Sequence, residues 1–184
     1  MKKNKPITSR RDFIKKSLVA SSIVIVPRHV LGGTGYTAPS DQLNIASIGC
    51  GGKGHSDIIN AHVGGRERVV ALCDIDSFGK HGVKAARTKF PDANFYNDFR
   101  QLLAEEKDLD AITVSTPDHT HAVIAMAAME RNVHLYVQKP LTHNIKEARL
   151  LTETAREKKI VTQMGNQGAS NPAQLQVQKW INAG

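Results

Sequence analysis

The stretch Gly49-Cys50-Gly51-Gly52-Lys53-Gly54 follows directly on the apolar run Leu43–Ile48 and opens a segment of helical period. Between a strand and a helix, a G-x-G-x-x-G demands a tight turn at its first glycine, bare main chain at its second and close helix-to-strand packing at its third. Gly49, Gly51 and Gly54 stand at those positions, with Gly52 beside them. Asp74 closes the next apolar run, 20 residues beyond Gly54, where a carboxylate can accept hydrogen bonds from ribose hydroxyls. Together these residues predict a dinucleotide site, with a pyrophosphate against backbone N–H groups at a positive helix terminus. Asp74 favours NAD over NADP, since a carboxylate at that ribose repels a further phosphate. Lys53 would weaken the preference if it reached the same ribose, but a solvated surface lysine is the plainer reading. Asp76 reads as a helix N-cap.

The rest of the body agrees with a nucleotide fold. Six strands are expected, at Leu43–Ile48, Arg68–Asp74, Asn94–Tyr96, Asp110–Ser115, Val133–Val137 and Ile160–Met164. Helices are expected between them, at Gly54–Val63, Phe78–Lys89, Asp98–Glu105, His119–Arg131 and Asn144–Lys158, with a last one from about Pro172. Alternation of this kind gives an α/β fold, a doubly wound parallel sheet of Rossmann type, because right-handed crossovers place helices on both faces. In the strand order 3-2-1-4-5-6 the ligand crevice lies at the carboxyl ends of strands one and four, here Gly49 onward and Ser115-Thr116-Pro117.

The formal charge of +8 invites a nucleic-acid reading, but its distribution removes it. Eight basic residues and one acid, Asp12, lie up to Arg28; beyond it 17 basic residues face 16 acidic ones. A near-neutral body offers no field for phosphate backbones, so no nucleic-acid partner is expected. The basic leader runs through Ser9-Arg10-Arg11-Asp12-Phe13-Ile14-Lys15 into the apolar run Leu18–Val26. That run is too short to span a bilayer, which needs ~20 residues. It resembles a bacterial twin-arginine signal, with Ile14 where leucine is usual, and implies the twin-arginine export machinery as a partner and a periplasmic destination. No clean small-x-small site follows, so cleavage or a retained anchor stays open. Residues 1–40 are read as signal and linker, 41–168 as the nucleotide-binding domain and 169–184 as the start of a connection.

At Thr116-Pro117-Asp118-His119-Thr120-His121 and Tyr136-Val137-Gln138-Lys139-Pro140 the chain resembles the Gfo/Idh/MocA family of sugar and cyclitol oxidoreductases. The resemblance covers essentially everything after the leader. His121 matches the family's Thr-Pro-x-x-x-His stretch, and Lys139-Pro140 its Glu-Lys-Pro, with Gln138 in place of the usual glutamate. Gln163-Met164-Gly165-Asn166-Gln167-Gly168 resembles the loop after the sixth strand, where the family brings an amide near the nicotinamide; Asn166 takes that part. The resemblance implies Ser115, Thr116, Pro117, His121, Gln138, Lys139 and Asn166 as cofactor-binding residues beside the glycine loop and Asp74. Lys139 is implied as the catalytic residue, binding a substrate hydroxyl and stabilising developing alkoxide charge or joining a proton relay. A homo-oligomer is a further expectation for the full-length protein.

His119 and His121 do not make a metal site, since positions two apart on a helix face different ways and no ligand set of zinc spacing accompanies them. No metal is expected. Cys50 and Cys73 read as small apolar fillers. The chain has little room beyond the cofactor domain, so it is read as a fragment that lacks the family's C-terminal substrate domain. Three functions are weighed: an NAD-dependent oxidoreductase acting on CH–OH groups of a sugar, cyclitol or sugar derivative; an NAD-dependent glycoside hydrolase working by transient oxidation; and a non-catalytic nucleotide-binding module.

Overall fold

Six strands, β1 (Asn44–Ile48), β2 (Arg68–Cys73), β3 (Asn94–Tyr96), β4 (Ala111–Val114), β5 (His134–Gln138) and β6 (Thr162–Gly165), form one sheet in the computed structural model. Residues 37–77, 79 and 82–184 are described. The paired arginines and the apolar run of the leader lie outside the described residues. The chain divides between Pro39 and Ser40, and the domain below is the part from Ser40 onward. Its strand order is β3-β2-β1-β4-β5-β6. Every neighbouring pair is parallel, as the alternation of runs requires.

The helices are α1 (Gly52–Ala61), α2 (Val83–Lys89), α3 (Phe99–Glu105), α4 (His121–Glu130), α5 (Ile145–Lys158) and α6 (Pro172–Ala183). None of the described helices is long and apolar enough to cross a membrane. Side chains at the N-caps fix several starts: Asp98 accepts from Arg100 N–H, Asn144 from Glu147 N–H and Asn171 from Ala173 N–H. The N-cap of α2 is Gly82, at φ 101°; the start expected after Asp76, at Phe78, lies outside the described residues. The last strand starts two residues later than its apolar pattern suggests. Lys159 ends α5 in the left-handed region, and the N–H of Ile160 is spent on the Ala155 carbonyl at 2.9 Å, closing the helix instead of joining the sheet.

Strand alternation sorts the side chains onto two faces. Ala46, Ile48, Ile112, Val114, Leu135 and Val137 meet the buried sides of α3, α4 and α5, where Leu102, Met129 and Leu151 pack. Truncating the fully buried Leu102 to alanine removes ~2–5 kcal/mol on general experience with such cores. On the other face Ile45 and Leu72 meet Ile58 of α1 and Val83 and Ala86 of α2. That second face also carries polar groups: the buried Thr113 hydroxyl donates to Ser47 Oγ at 3.0 Å. The same alternation aims Ser115 and Gln138, at the strand ends, toward α1.

Candidate functional site

The glycine loop joins β1 to α1, and its geometry explains its composition. Gly49 has φ +78°, and a Cβ there would lie 2.8 Å from the Ser115 carbonyl carbon. A Cβ on Gly54 would lie 1.7 Å from the Gly49 carbonyl oxygen, so the first turn of α1 crosses the loop with no room for a side chain. Gly52, at φ +48°, faces open space. No side chain caps α1 at Gly51, which leaves its first-turn N–H groups for a ligand.

Asp74 lies just past β2 and is tied to this loop. Its Oδ2 accepts from Gly51 N–H at 3.0 Å and its Oδ1 from Asp76 N–H at 3.0 Å. The second glycine therefore gives its N–H to the acid expected to hold a ribose, and not to a phosphate. Each carboxylate oxygen keeps a further acceptor site for hydroxyls. Asn97 Nδ2 donates to the Asp74 carbonyl at 2.8 Å and steadies the turn. Lys53 does not reach Asp74: its ammonium bonds Asp57 and Ser56 on its own helix, so it is neither a ribose ligand nor a simple solvated lysine.

A cavity of about 650 Å³ opens at the carboxyl ends of β1 and β4, with Gly49, Gly51, Asp74, Phe99, Thr116 and Pro117 in its wall. Arg100 also lines it, but its guanidinium is paired with Asp98 at 2.7–3.1 Å, and this pairing holds the Asp98 carboxyl below its ordinary range. Both partners are exposed, so Asp98 offsets part of the guanidinium's positive charge at the cavity rim. A larger hollow, about 800 Å³, lies where Asn44, Arg68, Glu105 and Lys89 meet. The carboxyl ends of α2 and α3 face it, and their partial negative charge is the wrong sign for a pyrophosphate. The bare loop, the helix start without a side-chain cap and the ribose-facing acid fit a dinucleotide in the smaller cavity.

The family model described as an oxidoreductase family with an NAD-binding Rossmann fold, Gfo/Idh/MocA, matches residues 43–166. The chain belongs to this family. It is 35% identical over 145 residues to a glycosyl hydrolase family 109 protein from Shewanella sp. (strain ANA-3), covering 74% of this chain and 31% of that protein. It is 31% identical over 101 residues to a levoglucosan dehydrogenase from Pseudarthrobacter phenanthrenivorans, covering 55% and 25%. The crystal structure of the WlbA (WbpB) dehydrogenase from Thermus thermophilus in complex with NAD and alpha-ketoglutarate superposes with a TM-score of 0.68 at 19% identity, over 78% of this chain and 47% of that one. The chain thus spans about a third of the length of the first of these relatives. The domain is an NAD-binding Rossmann domain.

The family residues expected from the sequence fall into two groups. Gly49, Gly51, Asp74, Ser115, Thr116 and Pro117 share the cavity wall, and Gly52 and Gly54 complete the loop. His121, Gln138, Lys139 and Asn166 lie outside that wall. His121 is fully buried. Its Nδ1 faces the Pro140 carbonyl at 2.7 Å and its Nε2 the Thr116 carbonyl at 2.9 Å. A neutral ring has one N–H and donates to one of these two carbonyls, the choice being set by its tautomer, so the ring is packed between the β4 loop and the turn after β5. Lys139 is exposed on that turn and joined to Pro140 by a cis peptide bond. Asn166 is exposed just past β6, its N–H bonded to the Met164 carbonyl at 2.9 Å. Asp57, which no sequence motif singles out, is buried behind the loop and bonds Ser115 and Gln138. Its only sequence mark is an acid beside the core residue Ile58 on a helix that must pack on the sheet.

The two cysteines flank the site as free, buried thiols. Burial above all, with the Asp74 charge behind it, pushes Cys50 up to about 12. Burial, then the neighbouring Cys50 and Asp74, pushes Cys73 to about 12. Neither thiol is expected to react with a disulfide reagent at pH 8 while the chain is folded, and both should react on unfolding. The folded chain keeps both protons from the ordinary thiol value of 9.0 up to about 12, where the unfolded chain has lost them. Stability therefore falls as pH rises through that window. Urea midpoints between pH 8 and 11 test this, and the decline should be shallower in a Cys50→Ala, Cys73→Ala double variant.

Proposed function

We propose that the intact protein is an exported, NAD-dependent oxidoreductase acting on a carbon that bears a hydroxyl in a sugar, cyclitol or sugar derivative. One observation carries the reading. The turn that exposes Lys139 packs through the buried His121 ring against Thr116, a residue of the cofactor cavity, in a domain of this family. The bare turn of residues 49–54 would receive the diphosphate, with the N–H groups from Gly52 onward as donors since those of Gly49 and Gly51 are taken by Cys73 and Asp74, and Asp74 would receive the adenosine ribose. When bound, NAD supplies a hydride acceptor. As the hydride leaves carbon for NAD, a general base takes the hydroxyl proton, and the Lys139 ammonium would donate a hydrogen bond to that oxygen and stabilise the negative charge developing on it. Its exposure leaves the ammonium able to meet a substrate.

A second reading, an NAD-dependent glycosidase that ends with its cofactor unchanged, is favoured by the 35% identity to a glycosyl hydrolase family 109 protein. Incubation with NAD and free sugars or inositols separates the two. Net NADH formation, lost in a Lys139→Met variant that still binds NAD, is the expected result. Release of the aglycone from an aryl glycoside without net NADH would establish the second reading. Neither activity, with NAD still bound, would leave a binding module. The leader supports export through Arg10 and Arg11: replacing both with lysine should strand the protein in the cytoplasm, and undiminished export would exclude the twin-arginine route.

A further inference from the structure

The side chain of Asp57, one turn into α1, is 3% exposed. A carboxylate that deeply buried is costly unless both oxygens are paired. One accepts from the Lys53 ammonium. The other accepts from Ser115 Oγ at 2.7 Å and from Gln138 Nε2 at 2.9 Å. These last two donors belong to the ends of β4 and β5, 58 and 81 residues away in the chain. The Gln138 amide has little freedom to turn aside. Gly165 at the end of β6 lies so close that a Cβ there would meet the amide carbon at 2.8 Å, and Lys139 N–H faces its Oε1 at 3.4 Å. One buried carboxylate thus gathers the helix that starts at the glycine loop, a residue of the cofactor cavity and the residue next to Lys139.

We propose that Asp57 is a positioning residue: its carboxylate fixes Ser115 and the Gln138 amide, and so holds the glycine-loop helix in place against the turn that presents Lys139. This rests on the reading of Lys139 as the substrate-side group. The same geometry accounts for an amide at position 138. A carboxylate there would meet Asp57 at hydrogen-bond distance with no proton between them. Lys53, on the far oxygen, is the cation that faces the pair.

The test is a double-variant cycle on the full chain, Gln138→Glu, Asp57→Asn and both together, read by calorimetric NAD affinity and by thermal midpoint. Gln138→Glu should weaken NAD on the order of tenfold and lower the midpoint, because like charges in contact cannot both stay ionised without cost. The double variant should regain at least half of each loss, since the amide introduced at position 57 donates to the carboxylate introduced at position 138, with the roles exchanged. A Gln138→Glu chain indistinguishable from its parent would overturn the proposal, as would a double variant that regains less than that. If Gln138→Glu alone does not fold, folding of the double variant is the supporting result and its failure to fold the overturning one. Should the parent itself give no NAD heat, the cofactor reading falls, while the thermal cycle still decides whether Asp57 and Gln138 are paired.

Discussion

Gly54→Ala should abolish measurable NAD binding and lower the thermal midpoint by about 10 °C, from an overpacking cost of ~3 kcal/mol. The added methyl would sit 1.7 Å from the Gly49 carbonyl oxygen and 2.8 Å from its carbon. Both are main-chain atoms, and no rotamer can move them aside. Either α1 lifts from the loop or Gly49 turns, and Gly49 is itself held by its N–H bond to the Cys73 carbonyl at 2.8 Å and by the close Ser115 backbone. Both responses misplace the helix N-terminus that would receive the diphosphate. Calorimetry with NAD and a melting curve check the result; full affinity in Gly54→Ala would mean that the loop does not hold the cofactor. Because Gly52 belongs to the diphosphate turn, Gly52→Ala is the control for the melting curve alone. It meets nothing within 4 Å, so its penalty is the left-handed backbone alone, on the order of 1 kcal/mol.

Asp74→Ala should weaken NAD on the order of 100-fold and narrow the preference over NADP. The carboxylate accepts the N–H groups of Gly51 and Asp76, and hydrogen bonds to an ionised group contribute ~1.5–3 kcal/mol each. Its loss loosens the loop and removes the ribose acceptor together. NADP should lose far less, since the same change removes a negative charge from beside its extra phosphate. Parallel titrations with the two nucleotides read this directly. Equal weakening of both would assign Asp74 to loop stability alone.

Much of this site could be read in the sequence, because the cofactor end is built from short-range rules. The spacing of Gly49, Gly51 and Gly54, the distance to Asp74 and the alternation of strands and helices are all local signals, and handedness restricts the strand orders they allow. The missing pieces depend on contacts between distant residues. Asp57 meets Ser115 and Gln138 only after three elements have docked, and no periodicity marks such a meeting. His121 reads as a ligand in the motif, yet its ring is packed between the carbonyls of Thr116 and Pro140. Lys53 reads as solvated until its buried partner is known. The start expected at Phe78 lies outside the described residues, and the described helix begins at Val83, after Gly82 in the left-handed region.

The fit of Gly165 against the Gln138 amide ties two neighbouring strand ends together during any change of specificity. A side chain at 165 would tilt the amide and, through it, the lysine next in the chain. Libraries that diversify the substrate end one position at a time should find 165 intolerant. Variation at 138 and 57 should be productive only when sampled as a pair.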